Sequence, residues 1–356
     1  MTVAVPEPEP SAVPLVGALP VDVPLAEVTR GPHVESRHRG AVAVVRGAGE
    51  ELQVGPADEP VWMRSAIKPF QALPLVERGI ADRLALTSEE LAVIQASHDG
   101  TPLHTETVAG ILARAGLDPE QLGCGPHAPF DKPASLAIAR AGDKPRRIHN
   151  NCSGKHSGFL LLAQDLGQPL DTYLDPEGPT QQLVRAAVAD LAGLDPAGIP
   201  CAVDGCGAPT LRIPLTALAR AFFRWMNPDG LPPVRRAACE RLFGAANSAP
   251  IHVAGEHRLC TALIRSAPGR VHGKNGAEGV YAVGAVGREG PFAVAVKVAD
   301  GAERGYVPVI VELLRHFGLW ETVPDELLRF VTAPVRNTNK EIVGEARSVF
   351  EVPAGW

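Results

Sequence analysis

Ser65-Ala66-Ile67-Lys68 sets a hydroxyl and an amine three residues apart. On a helix, side chains at i and i+3 share a face, so Lys68 is placed to take the proton of Ser65. A serine hydroxyl is a poor nucleophile until a neighbouring base activates it, and a desolvated lysine is such a base. The pair falls where a strand region gives way to a helix. A helix N-terminus there favours both a neutral amine and a developing oxyanion. Ser97-His98-Asp99-Gly100 and Lys274-Asn275-Gly276 carry the same residue types. Pairing Ser65 with Lys68 and Ser97 with Lys274 would bring four such groups together in one cleft, with His98 lining it.

The scarcity of lysine sharpens this reading. The chain has 34 basic residues, and only positions 68, 132, 144, 155, 274, 297 and 340 are Lys. Arginine keeps its proton inside a protein, whereas a buried lysine can be driven to neutrality and serve as base or ligand. Lys155 lies in His149-Asn150-Asn151-Cys152-Ser153-Gly154-Lys155-His156, and a second Cys/Gly segment follows at Asp204-Gly205-Cys206-Gly207. Glycine beside cysteine lets backbone approach a ligand closely. Two thiolates with a third N or O ligand and a water suit zinc. By residue type the candidates are Cys152, Cys206 and His156; the alternative is that two small cysteines simply pack in the core. Cys124, Cys201, Cys239 and Cys260 read as packing residues and Trp62 as core. His252 and His257 flank Gly255-Glu256 without the helical H-E-x-x-H spacing of a zinc site.

These groups need elements to hold them. AVAVV (41–45) and the VWM that follows a Gly/Pro/Asp turn read as strands, within a strand region of about 33–62. Ile67, Phe70, Leu73 and Leu75 predict a buried helix. TSEELAVIQASH (87–98) opens on a capping pattern and predicts a helix ending near Ser97. Residues 104–117, 156–167 and 180–194 predict three more helices. GVYAVGAVG and PFAVAVKVAD, joined by a short turn, form a hairpin signal. GYVPVIVELLRHFGLW reads as a helix, and a last strand falls near 345–352.

The expected fold class is therefore α/β: an antiparallel sheet with flanking helices and a helical lobe. Residues 23–356 make one domain of two lobes, with the sheet drawn from 33–62 and 270–352 and helices from about 66–250.

Composition narrows the function classes. The 356 residues are 45% hydrophobic and 21% charged with a net charge of −6, which suits a globular protein and gives nucleic acid no basic face. No apolar run reaches the length of a membrane span. Residues 1–22 read as a disordered, Pro-rich leader with Glu7 and Glu9 where a secretory signal carries basic residues. Six cysteines scattered over a long chain point to a reducing cytoplasm.

The order S-x-x-K, then a Ser-containing turn, then Lys-x-Gly before a strand resembles that of serine β-lactamases and penicillin-binding proteins, with Asn275 where Thr or Ser is usual. RSAIKPFQALP, ASHDGTPLHTE, HNNCSGKHSGFL, DGCGAPTL and GKNGAEGVYAVG together resemble the Rhizobium etli-type (class 3) L-asparaginases, over about residues 30–350. That resemblance implies a homodimeric amidohydrolase converting L-asparagine to L-aspartate and ammonia on a fold similar to the serine β-lactamases. It implies Ser65 as nucleophile, Lys68 as general base, and Ser97 with Lys274 as a supporting dyad. It further implies zinc on Cys152, Lys155 and Cys206, Asp204 beside a metal-bound water, and Arg64 and His156 near the substrate. The competing readings are a glutaminase or other amidase, a β-lactamase-like acyl transferase, and a non-catalytic, zinc-stabilised ligand-binding protein.

Overall fold

The computed structural model describes residues 21–356; the leader expected over 1–22 lies outside them but for its last two positions. The frame is an eight-stranded antiparallel sheet. It contains β1 (Val23–Arg30), β2 (His33–Arg46), β3 (Glu50–Val54), β7 (Val271–Asn275), β8 (Val280–Gly287), β9 (Gly290–Val298), β10 (Thr332–Arg336) and β11 (Ile342–Ser348). Their order is β10-β11-β1-β2-β9-β8-β7, with β3 also on β2. The two ends of the chain meet in it, Glu27 opposite Arg347.

Alternation along the central strands explains why the sheet is covered on both faces. Ala41, Ala43 and Val45 of β2, with Ala293 and Ala295 of β9, face the helical half of the molecule. Val42, Val44, Val294 and Val296 face the other way, onto helices Leu259–Ser266 and Val307–His316. Mostly alanine on the first face lets helix Leu215–Met226 lie close to the sheet. The outer face carries the larger valines, and the unbroken apolar runs of the sequence are the sum of the two.

The expected helices at 104–117, 156–167 and 180–194 appear as Pro102–Arg114, Ser153–Asp165 and Pro179–Ala192. The helix expected from Ile67 is broken instead. A 3-10 turn at Arg64–Ile67 leads into short helices Lys68–Gln71 and Leu73–Glu77, each with a proline at its start. Two strand groups escape the sequence reading. β1 lies upstream of the expected sheet boundary, and β5 (Cys201–Val203) and β6 (Pro209–Pro214) join β4 (Pro60–Trp62) in a small sheet within the region read as helical. β5, with three residues, carries too few positions for a period to show.

Helix Ser88–Ile94 is started by a capping box in which Thr87 accepts from the Glu90 N–H and the Glu90 carboxylate accepts from the Thr87 N–H. This helix delivers Ser97. Thr87→Ala is expected to cost about 1 kcal/mol of stability, read as a lowered midpoint in thermal unfolding.

Candidate active site

Four segments converge. The first is the turn at Arg64–Ile67, pinned because the Met63 N–H donates to Leu211 O and the Arg64 N–H to Thr210 Oγ1 at 3.2 Å. Arg64 has φ +51, a left-handed conformation rare outside glycine, one residue before Ser65. The second is the turn after helix Ser88–Ile94, where Ser97 N–H donates to Val253 O, His98 N–H to Asn151 O and Asp99 N–H to Ala254 O. The third is the start of helix Ser153–Asp165, and the fourth the end of β7. Gly276 fits there because a Cβ would sit 2.6 Å from Met63 O.

Lys68 is the junction. Its side chain is 1% exposed, and Nζ donates to Ala96 O at 2.6 Å, Ser97 Oγ at 2.9 Å and Cys152 Sγ at 3.2 Å. The pairings inferred from spacing are therefore redistributed. Lys68 bonds to Ser97 rather than to Ser65, because the broken helix turns the amine away from the i, i+3 geometry toward the 96–97 backbone. Lys274 Nζ donates to Asn275 O at 2.9 Å and Asn275 Oδ1 at 2.8 Å rather than to Ser97. Burial, the Lys68 charge and Arg258 draw Lys274 down to about 7, against a smaller upward pull from Cys260. Ser97 is buried, whereas Ser65 is partly exposed.

A sulfur cluster adjoins this pair. Cys152 and Cys206 are free, buried thiols close enough to act on one another's protonation, and Lys155 Nζ donates to Cys206 Sγ at 3.2 Å. Cys206, with Lys68 and Lys155 close by, holds the Cys152 thiol well below its ordinary value, while Cys152 and burial push Cys206 up. Burial opposes the charge on Lys155, but the two sulfurs outweigh it and raise its affinity for the proton.

His156 Nδ1 and the Tyr173 hydroxyl are 2.6 Å apart. Tyr173 already accepts from the Gly123 N–H at 2.6 Å, so its own proton goes to Nδ1 and the imidazole carries hydrogen on Nε2. Burial lowers His156 to about 4, and its Nε2 has no hydrogen-bond partner. Among the described residues no three His, Cys, Asp or Glu side chains converge to hold an ion, so the set Cys152, Cys206 and His156 does not form. Cys152 and Cys206 are the soft, buried donors a zinc ion takes, and the Lys155 amine would complete the set by giving up its proton on binding.

Arg64 and Asp204 form an ion pair, Nε to Oδ1 at 2.7 Å, at the edge of a cavity of about 590 Å³. Trp62, read as core from sequence, is 38% exposed and lines that cavity, because β4 is an edge strand of the small sheet. His98 is fully buried: its Nδ1 accepts from the Gly100 N–H, so Nε2–H donates to Ser153 Oγ at 2.9 Å. Cys201 is half-exposed rather than packed, and Cys260 lies at the margin of the site, where Tyr281 OH donates to its sulfur at 3.4 Å. Tyr173, Thr210 and Asn275 complete the site's contacts. Nothing in their sequence neighbourhoods sets Tyr173 or Thr210 apart.

Residues 26–348 match the family described as L-asparaginase II. No curated protein matches the chain. Among solved structures, a β-lactamase from Burkholderia vietnamiensis shares 18% identity over 74% of this chain and 85% of its own, with a TM-score of 0.36. Mglu in its native form shares 15% over 84% and 66%, with a TM-score of 0.41. A probable glutaminase from Bacillus subtilis, complexed with 6-diazo-5-oxo-L-norleucine, shares 10% over 78% and 83%, with a TM-score of 0.37.

The depressed Lys274 has a consequence for stability. The folded chain binds its proton only below about pH 7, the unfolded chain up to about 10.5. Between those values the unfolded state binds more protons, so this residue's contribution to stability rises with pH and is least favourable below 7. Lys274→Met is expected to gain a few kcal/mol at or below pH 7, with the gain vanishing toward pH 10, checked by denaturant unfolding across that range.

Proposed function

The chain belongs to the L-asparaginase II family, and we propose on that premise that it hydrolyses the side-chain amide of L-asparagine to L-aspartate and ammonia with Ser65 as nucleophile. The observation that carries the reading is the partly exposed Ser65 three residues before Lys68, with Lys68 and Ser97 a buried hydrogen-bonded pair and the depressed amine of Lys274 near enough to feel the Lys68 charge. A nucleophile must reach substrate, and a base must be shielded from water if an amine is to lose its charge. Ser97 lacks the first property and Ser65 has it.

In this reading the Ser65 oxygen attacks the amide carbon and its proton passes into the Lys68–Ser97 pair. Lys274 is the neighbouring amine whose neutral form is populated at pH 7, which leaves the network able to accept a proton. In the Arg64–Ile67 turn the Arg64 and Ala66 N–H groups are already bonded to Thr210 Oγ1 and Met63 O, so the Ser65 N–H is the donor left for the developing oxyanion. The network then protonates the leaving nitrogen, ammonia departs, and water hydrolyses the ester to release aspartate. Arg64 and Asp204 hold one another beside the cavity and help to orient substrate, with His156 behind them.

Zinc belongs to the proposal on the donor chemistry described above, held by Cys152, Lys155 and Cys206. When bound it would supply a Lewis-acid centre next to the substrate pocket and tie the two cysteine segments together. The Rhizobium etli-type subfamily, the homodimer and the cytoplasmic location are carried over from the sequence resemblance on the same terms.

Purified protein is expected to release ammonia from L-asparagine, and Ser65→Ala to lower kcat by about a thousandfold or more. Retention of over a tenth of kcat in that variant would move the nucleophile elsewhere. The activity is expected to rise with pH through a midpoint near 7, the value of Lys274, and Lys274→Met to remove that limb of the profile. Elemental analysis is expected to find about one zinc per chain, lost in Cys206→Ser together with a drop in thermal midpoint.

A further inference from the structure

Asp99 and Arg258 touch no reacting group in the mechanism above, yet they are an unusual pair. Asp99 follows Ser97 by two residues, and its backbone is fixed on both sides: its N–H donates to Ala254 O at 2.7 Å, and its carbonyl accepts from the Asp131 N–H at 3.1 Å. The carboxylate packs on Gly255, where φ is +154 and a Cβ would fall 2.0 Å from Asp99 Oδ2, so this contact requires glycine. Oδ1 is buried and has no hydrogen-bond partner.

The nearest cation is Arg258, with Nε 3.8 Å from that same Oδ1, beyond hydrogen-bond length. Arg258 lies over the Phe130 ring at 6.0 Å and forms no side-chain hydrogen bond among the described residues. The two side chains remain 31% and 12% exposed, Arg258 the more so, which leaves the pair within reach of a ligand. A buried carboxylate and a half-buried guanidinium, face to face with both hydrogen-bonding capacities unfilled, are costly to keep. Burial raises Asp99, against the pull of Arg258.

The pair adjoins the reacting groups. Asp99 is in the same clamped turn as Ser97, and Arg258 is close enough to Lys274 for its charge to help lower that amine. A ligand that fills both vacancies carries an ammonium and a carboxylate on neighbouring atoms, as the head of an α-amino acid does. We propose that Asp99 receives the α-ammonium and Arg258 the α-carboxylate of the substrate, so that this pair selects free amino-acid amides. The proposal deepens the asparaginase reading and rests on it.

Three substrates separate the contacts: L-asparagine, succinamate, which lacks the α-amino group, and β-alaninamide, which lacks the α-carboxylate. Asp99→Asn keeps the side-chain shape. It is expected to raise KM for L-asparagine at least about tenfold, to change kcat less, and to leave turnover of succinamate unchanged. Arg258→Gln is expected to raise KM for L-asparagine by a similar factor and to leave KM for β-alaninamide unchanged. Equal losses on L-asparagine and succinamate in Asp99→Asn would show a merely structural role and overturn the proposal.

Binding of the amide-free analogues L-aspartate, succinate and β-alanine, by titration calorimetry, tests the site without any turnover. Preference of the wild type for L-aspartate over succinate, lost in Asp99→Asn, is the expected result even for a protein that releases no ammonia. Equal binding of L-aspartate and succinate by the wild type would also overturn the proposal. Absence of ammonia release together with that preference would fault the reaction alone.

Discussion

The structure depends on where the buried amine of Lys68 spends its donors. A buried amine is tolerated only where hydrogen bonds replace its water, and here Ala96 O, Ser97 Oγ and Cys152 Sγ replace it. Those three partners come from segments distant in sequence. One charge thus ties the turn after β4, the turn after helix Ser88–Ile94 and the cysteine segment into a single site. It also sets the electrostatics of its neighbours: Lys68 helps to lower both Cys152 and Lys274.

The sheet supplies the rigidity that such a site needs. The strands are sandwiched between two apolar clusters, and Gly276, just past the end of β7, packs against Met63 O and the Ala66 N–H. The alternation of alanine and valine lets a helix approach one face closely while the other is filled by bulk. The cleft then lies where helices, sheet end and the small three-stranded sheet meet, and each contributes a side chain. Loops held this way carry function because a rigid frame fixes them.

Much of this was legible in the residues because of what the chain rarely uses. Lysine is scarce, so Lys68, Lys155 and Lys274 stood out, and all three are buried. Cys152 and Cys206 stood out through their glycines and lie near enough to shift one another's protonation. Periodicity found the long helices and the β8–β9 hairpin. It missed β1, β5 and β6, of which β5 is too short for a period to show, and it misread Trp62 because an edge strand beside a cavity has the same composition as a buried one.

What sequence alone determined is the inventory: a nucleophile-type serine, three lysines, two cysteines, an antiparallel sheet and a helical half, all fixed by residue type and local period. Which serine meets which lysine was decided only by tertiary structure. A short proline-bearing helix turned Lys68 from Ser65 to Ser97, and the clamp on the 97–99 turn set Asp99 against Arg258. Spacing along a chain constrains neighbours within one element; a pairing between elements depends on how their backbones pack, and burial then fixes the charge each partner can carry.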